Sequence, residues 1–133
     1  MESTFKPSVD HPKGKTETGT EELAWAVGGK VLVMRSFNDR NQPTALGIFT
    51  FDSKDNTYRY WHFAKGVYGG QWRMHWNEAT EAFQLQGHDM PPGWQSMGQN
   101  RVVNRNTINV TAVIKDDNGR VILDVQSRKT RID

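Results

Sequence analysis

Residues 57–76 read TYRYWHFAKGVYGGQWRMHW, and their pattern decides the fold. Tyr58, Tyr60, Trp61, Phe63, Tyr68, Trp72 and Trp76 make up half of the aromatic residues of the chain. They fall on two runs separated by Ala64-Lys65-Gly66. Aromatic runs around a short glycine-containing break read as a β-hairpin, because large flat side chains suit a pleated, half-buried surface. In the second run Trp72, Met74 and Trp76 share one face while Gln71, Arg73 and His75 share the other, the period of two that marks a strand. A turn near Lys65 makes paired residue numbers sum to about 130 and sets His62 opposite Tyr68. His75 then stands roughly 23 Å further along at ~3.3 Å per residue, so the two histidines cannot share a metal across the hairpin.

The same alternation recurs on both sides of this hairpin. Leu23, Trp25 and Val27 alternate before the Gly28-Gly29 turn signal, and a strand over 30–37 follows. Val31, Val33, Arg35 and Phe37 share one of its faces, but Leu32 and Met34 are apolar on the other. Residues 44–51, 82–87 and 94–103 read as further strands, with the prolines of His88–Gly93 excluding a central strand there. The Asn118-Gly119 pair predicts a two-residue type I′ hairpin. That register places Ile114 opposite Leu123, Ala112 opposite Val125 and Val110 opposite Ser127 on an apolar face. Lys115 falls opposite Ile122, Thr111 opposite Gln126 and Asn109 opposite Arg128 on the other.

No amphipathic helix is visible. The expectation is an all-β antiparallel up-and-down meander of about eight or nine strands, closed into a barrel because closure removes the exposed edges. Residues 1–15 are polar and aperiodic and read as an N-terminal arm, leaving 16–133 as the single barrel domain. At 133 residues the chain is long enough to bury a core without cross-links. A net charge of +2, with the basic excess at the two ends, lacks the dense basic stripe of a nucleic-acid binder. The absence of cysteine removes disulfides, thiolate metal sites and thiol nucleophiles. No apolar run is long enough for a membrane-spanning helix, and MESTFKPSVDHPKGK has no signal-peptide apolar segment, so the expected location is the cytoplasm.

Gly28-Gly29-Lys30-Val31-Leu32, Phe51-Asp52 with Tyr58-Arg59-Tyr60-Trp61, Trp76-Asn77-Glu78, Asn100–Val103, Thr107-Ile108 and Lys115–Val121 together resemble a bacterial family of uncharacterised lipocalin-like proteins. The resemblance covers about residues 19–130 and implies a calycin-type barrel with room for an interior cavity. Members of that family open with a further strand carrying Gly-x-Trp, which this chain lacks. Either the N-terminal arm replaces that strand, the barrel stays partly open, or a second chain covers the gap. A homodimer is the expected way to cover an unpaired edge.

The candidate site residues are polar or aromatic groups on otherwise apolar faces. Trp25, Tyr60, Trp72 and Trp76 either line a cavity or fill the barrel. Arg35, if buried, needs an internal carboxylate or an anionic ligand, and it is the expected anchor for a polar end. Gln99 and Arg101 carry the same ambiguity. His62 is the histidine placed to join a ligand site, but no partner for it is identifiable. No metal site and no cofactor are expected. Glu21-Glu22 and Asp116-Asp117 are adjacent pairs whose members point to opposite faces, so neither forms a catalytic dyad. The functional expectation is a non-enzymatic binding protein for a small, largely apolar ligand. The alternatives are a self-associating module or an enzyme in the same cavity.

Overall fold

The computed structural model describes residues 1–64 and 70–132 and shows an all-β closed barrel, with no helix among them. Ten strands follow in order: β1 (Glu2–Phe5), β2 (Lys15–Ala26), β3 (Val31–Asn38), β4 (Pro43–Asp52), β5 (Thr57–Ala64), β6 (Gly70–Asn77), β7 (Ala82–His88), β8 (Gln95–Asn104), β9 (Thr107–Lys115) and β10 (Val121–Thr130). Each pairs antiparallel with its chain neighbours, and β1 closes the ring between β2 and β10. The expected eight or nine strands are corrected to ten. The additional strand, β1, lies within the segment read as an arm, where four residues are too few to display a period.

Strand register fixes which residues face inward, because side chains alternate and directly opposed residues share a face. One inward row runs from Trp25 through Leu32, Phe49, Tyr60 and Trp72. It resumes beyond Gly87 at Ser96 and continues through Ile114 to Leu123. A second row takes in Phe51, Tyr58, Met74, Leu85, Gly98, Ala112, Val125 and Phe5. In the aromatic hairpin the numbers sum to 132, so His62 stands opposite Gly70 and not opposite Tyr68. Residues 65–69, including the expected turn and Tyr68, lie outside the described residues.

The two ends of the barrel are built differently. At one end Trp72, Ile114, Ile122 and Leu123 form a buried cluster, packed by Phe5, Met90 and Trp94. The segment after β1 seals this end further, since the amides of Lys6, Val9 and Asp10 donate to the carbonyls of Asp124, Val121 and Ile122. Ile114 is the only large side chain among the described residues that is essentially free of solvent. The opposite end, ringed by the β2–β3, β4–β5, β6–β7 and β8–β9 turns, has no such plug among the described residues.

The wall is also uneven. The first residues of β2, Lys15–Thr18, pair with β1, and its later residues, Gly19–Ala26, pair with β3. Gly19 marks the change, exchanging backbone hydrogen bonds with Met1 at 3.0 and 2.9 Å. Beyond it β2 has no strand on its β1 side among the described residues, and β10 runs on to Thr130 past its last β1 partner at Arg128. Past these residues β2 and β10 have no β1 residue paired between them.

The last hairpin keeps the expected apolar pairs, Ile114 with Leu123, Ala112 with Val125 and Val110 with Ser127. Its turn differs from type I′. Gly119 has a φ of +77°, but Asn118 does not adopt positive φ, and a bulge between Val121 and Leu123 opposes Lys115 to Val121 in place of Ile122. The cause is Asp116, whose carboxylate accepts the amides of Asn118 and Arg120 at 3.0 and 2.8 Å and the Arg120 Nε at 3.0 Å. An Asx-type turn with one left-handed glycine satisfies the buried carboxylate, which a two-residue loop would leave bare.

Burial alone would raise the Asp116 pKa, but the hydrogen bonds from Arg120 and Asn118 and the Arg120 charge hold it below the ordinary carboxylate value of 3.8. A depressed carboxylate stabilises the fold above its unfolded pKa and loses that contribution as the pH falls through the folded value. Asp116→Ala is therefore expected to lower the thermal midpoint at pH 7, and the deficit should shrink as the pH is taken below 3.8. Thermal unfolding followed by circular dichroism at several pH values checks this.

Candidate functional site: the open end of the barrel

Inward-facing apolar side chains at the open end stay in contact with solvent. Leu23, Trp25, Phe51, Tyr58, Trp76, Val102 and Ile108 all point into the barrel by register, yet their exposure runs from 36% at Val102 to 69% at Trp25. A filled barrel would bury them. Their rings form a continuous belt around part of the rim. Phe51 and Tyr58 lie 5.0 Å apart, Tyr58 meets Phe83 edge-on at 5.5 Å, and Phe83 meets Trp76 at 5.0 Å. Such tilted and edge-on contacts suit the ring quadrupoles and hold the belt in place. Below it Phe49 stacks on Tyr60 at 4.3 Å, and Tyr60 abuts His62 at 5.8 Å.

A polar cluster links β2, β3 and β10. Glu21 on β2 and Lys129 on β10 form an ion pair at 2.8 Å, and the Ser36 hydroxyl on β3 donates to Glu21 at 3.3 Å. Both ionic side chains are largely buried, with 11% of Glu21 and 29% of Lys129 exposed. The pair spans the two strands that the backbone ladder leaves apart. Ser3 and Ser127 share a hydrogen bond of 2.7 Å on the same inner wall, and the Asn100 Oδ1, inward between Phe83 and Val110, has no partner within the protein.

His62 and Tyr60 respond to this cluster. Burial lowers the His62 pKa below 6.5 and the Lys129 charge lowers it further, with Glu21 opposing. Burial and the Glu21 charge raise the Tyr60 pKa above 10.0, so its hydroxyl remains a donor. The folded His62 pKa lies below the unfolded one, so the unfolded chain binds this proton first and stability falls as the pH drops below 6.5. His62→Gln is expected to flatten that limb, measured as a smaller change in thermal midpoint between about pH 7.5 and 5.

The comparison with protein-family models and with curated proteins found no match to this chain. The site must be read from its own geometry.

That geometry brings Trp25, Tyr60, Trp72 and Trp76 onto one inner wall. Trp25 and Trp76 stand at the open end, Tyr60 lies midway, and Trp72 belongs to the buried cluster. His62 joins them from the same face. Arg35 does not. It is exposed on the outer wall, opposite Leu46, where it lines a shallow depression with Phe37 and Phe63. The expected anchor role is corrected, because Leu32, Met34 and Ser36 take the inner face of β3. Gln99 and Arg101 also face outward, opposite Thr111 and Asn109. His75 is exposed on the outer face of β6 opposite Gln84.

Glu21, Ser36, Lys129 and Asn100 were not identified from the sequence as members of one site. The parity that puts Leu23 and Trp25 together also includes Glu21, and the predicted Val110–Ser127 pairing carries on to Lys129. Among the described residues, no three or more histidines or carboxylates come together as a metal site.

Proposed function

We propose that this chain is a non-enzymatic binding protein that takes a small, largely apolar molecule into the open end of the barrel. One observation carries the reading: the inward-facing aromatic and aliphatic side chains of the rim remain solvent-exposed while the far end is plugged. Apolar surface left exposed and gathered at one end of a fold is a common mark of an interaction or ligand site. Trp25 and Trp76 supply the rim, Tyr60 and His62 the inner wall, and Trp72 the floor. The lipocalin-like resemblance of the sequence points the same way, at the level of fold alone.

Native mass spectrometry of the purified chain before and after organic extraction tests the proposal. A reproducible added mass of the order of a few hundred daltons, removed by extraction, is the expected result for a drug-sized ligand in such a barrel. Replacing both Trp25 and Trp76 by alanine should lower the retained fraction. A bare mass from native and expression hosts alike, with no uptake of apolar probes, would overturn it.

One feature favours a second reading. The later half of β2 has a free edge among the described residues, and free edges invite a strand from another chain. The same spectra show whether the protein is a homodimer. Loss of the dimer on placing proline at Leu23, whose amide shares the free-edge side with that of Gly19, would tie it to this edge.

A further inference from the structure

We infer that the molecule bound in this barrel is uncharged, an aromatic or otherwise apolar body carrying one hydroxyl or N–H group. The inference deepens the binding reading above and rests on it. It comes from the charges on the inner wall. Among the described strand residues, the charged side chains of inward parity are Lys15, Glu17, Glu21 and Lys129, and they are already matched. Lys15 pairs with Glu17, and Lys129 pairs with Glu21.

Among the described residues no inner-wall cation is left over for a carboxylate, sulfonate or phosphate, and no carboxylate for an amine. An ionic ligand would have to break the Lys129–Glu21 pair and leave one partner charged and uncompensated in a largely buried site, which is strongly unfavourable. A neutral molecule leaves the pair intact. The second observation is independent of the first. Asn100 Oδ1 lies buried on the inner wall with no partner within the protein, between Phe83 and Val110 in register. Buried acceptors normally have donors. A ligand O–H or N–H seated against the aromatic belt supplies one.

The test compares two probes in fluorescence titrations of the full chain. N-phenyl-1-naphthylamine is uncharged with a single N–H, and 8-anilino-1-naphthalenesulfonate has the same rings with an added sulfonate. The unaltered protein is expected to bind the uncharged probe about tenfold more tightly or better, since specificity is the difference between the two affinities. Glu21→Gln frees the Lys129 charge and is expected to narrow that ratio by about fivefold or more, whereas Lys129→Met should widen it. Because the readout is a ratio within one protein, a partly destabilised variant does not mimic the result. Equal affinities, or a preference for the sulfonate in the unaltered chain, would overturn the neutral-ligand inference and leave the binding reading standing. If neither probe binds, both fall.

Discussion

Gly19→Ala is expected to lower the free energy of unfolding by about 3 kcal/mol, the upper part of the usual range for overpacking. A Cβ at position 19 would lie 2.1 Å from the carbonyl oxygen of Phe37. The obstacle is backbone, so no side-chain rotation relieves it. The chain must separate β2 from β3 or surrender the Met1–Gly19 hydrogen bonds, and either movement acts at the point where β2 changes partners. β1 is then the element expected to loosen, since it has only four residues in strand pairing. Urea denaturation with an unchanged m-value checks the magnitude. Faster amide exchange over Glu2–Phe5 than elsewhere checks the place. A loss under about 1 kcal/mol would mean that β2 shifts freely at this position.

Ile114→Ala is expected to cost about 3–4 kcal/mol, within the range for removing a buried branched side chain. Ile114 is 1% exposed and packs with Trp72, Ile122 and Leu123 in the plugged end. That cluster is small for a chain of this size, so little else compensates, and the cavity left behind is fixed by the closed wall around it. Trp25→Ala offers the control. Trp25 is the larger residue, but at 69% exposure its loss should change stability by less than about 0.5 kcal/mol. Chemical denaturation of the two variants side by side separates the end that holds the barrel together from the end proposed to bind. A large loss from Trp25→Ala would show that the rim is part of the packed core.

The alternation in residues 71–76 and 109–128 was legible because antiparallel strands wet on one side repeat their character every second residue. It places Trp72, Met74 and Trp76 on one face and pairs Ile114 with Leu123, as the barrel does. Alternation separates two faces, however, without saying which is inside when both are apolar. β3 is such a strand, and that is why Arg35 was misplaced: Val31, Val33 and Phe37 are half-buried on the outer wall among Ile48 and Trp61. The turn at Asp116 was misjudged for a different reason. The Asn-Gly dipeptide states a local preference, and the buried carboxylate two residues earlier outweighs it.

The sequence alone determined that this is an all-β meander, where most strands begin and end, and the register of the last hairpin. These properties rest on neighbouring residues and on turn chemistry, which are local. Only the tertiary structure decided that β1 closes the ring, that one end is plugged while the other is open, and that Glu21 meets Lys129. Ser3 and Ser127 are 124 positions apart, and their hydrogen bond exists only because every intervening strand has kept its register. Closure sums those registers around the barrel. The place where the sum leaves β2 and β10 unpaired is where the ion pair stands.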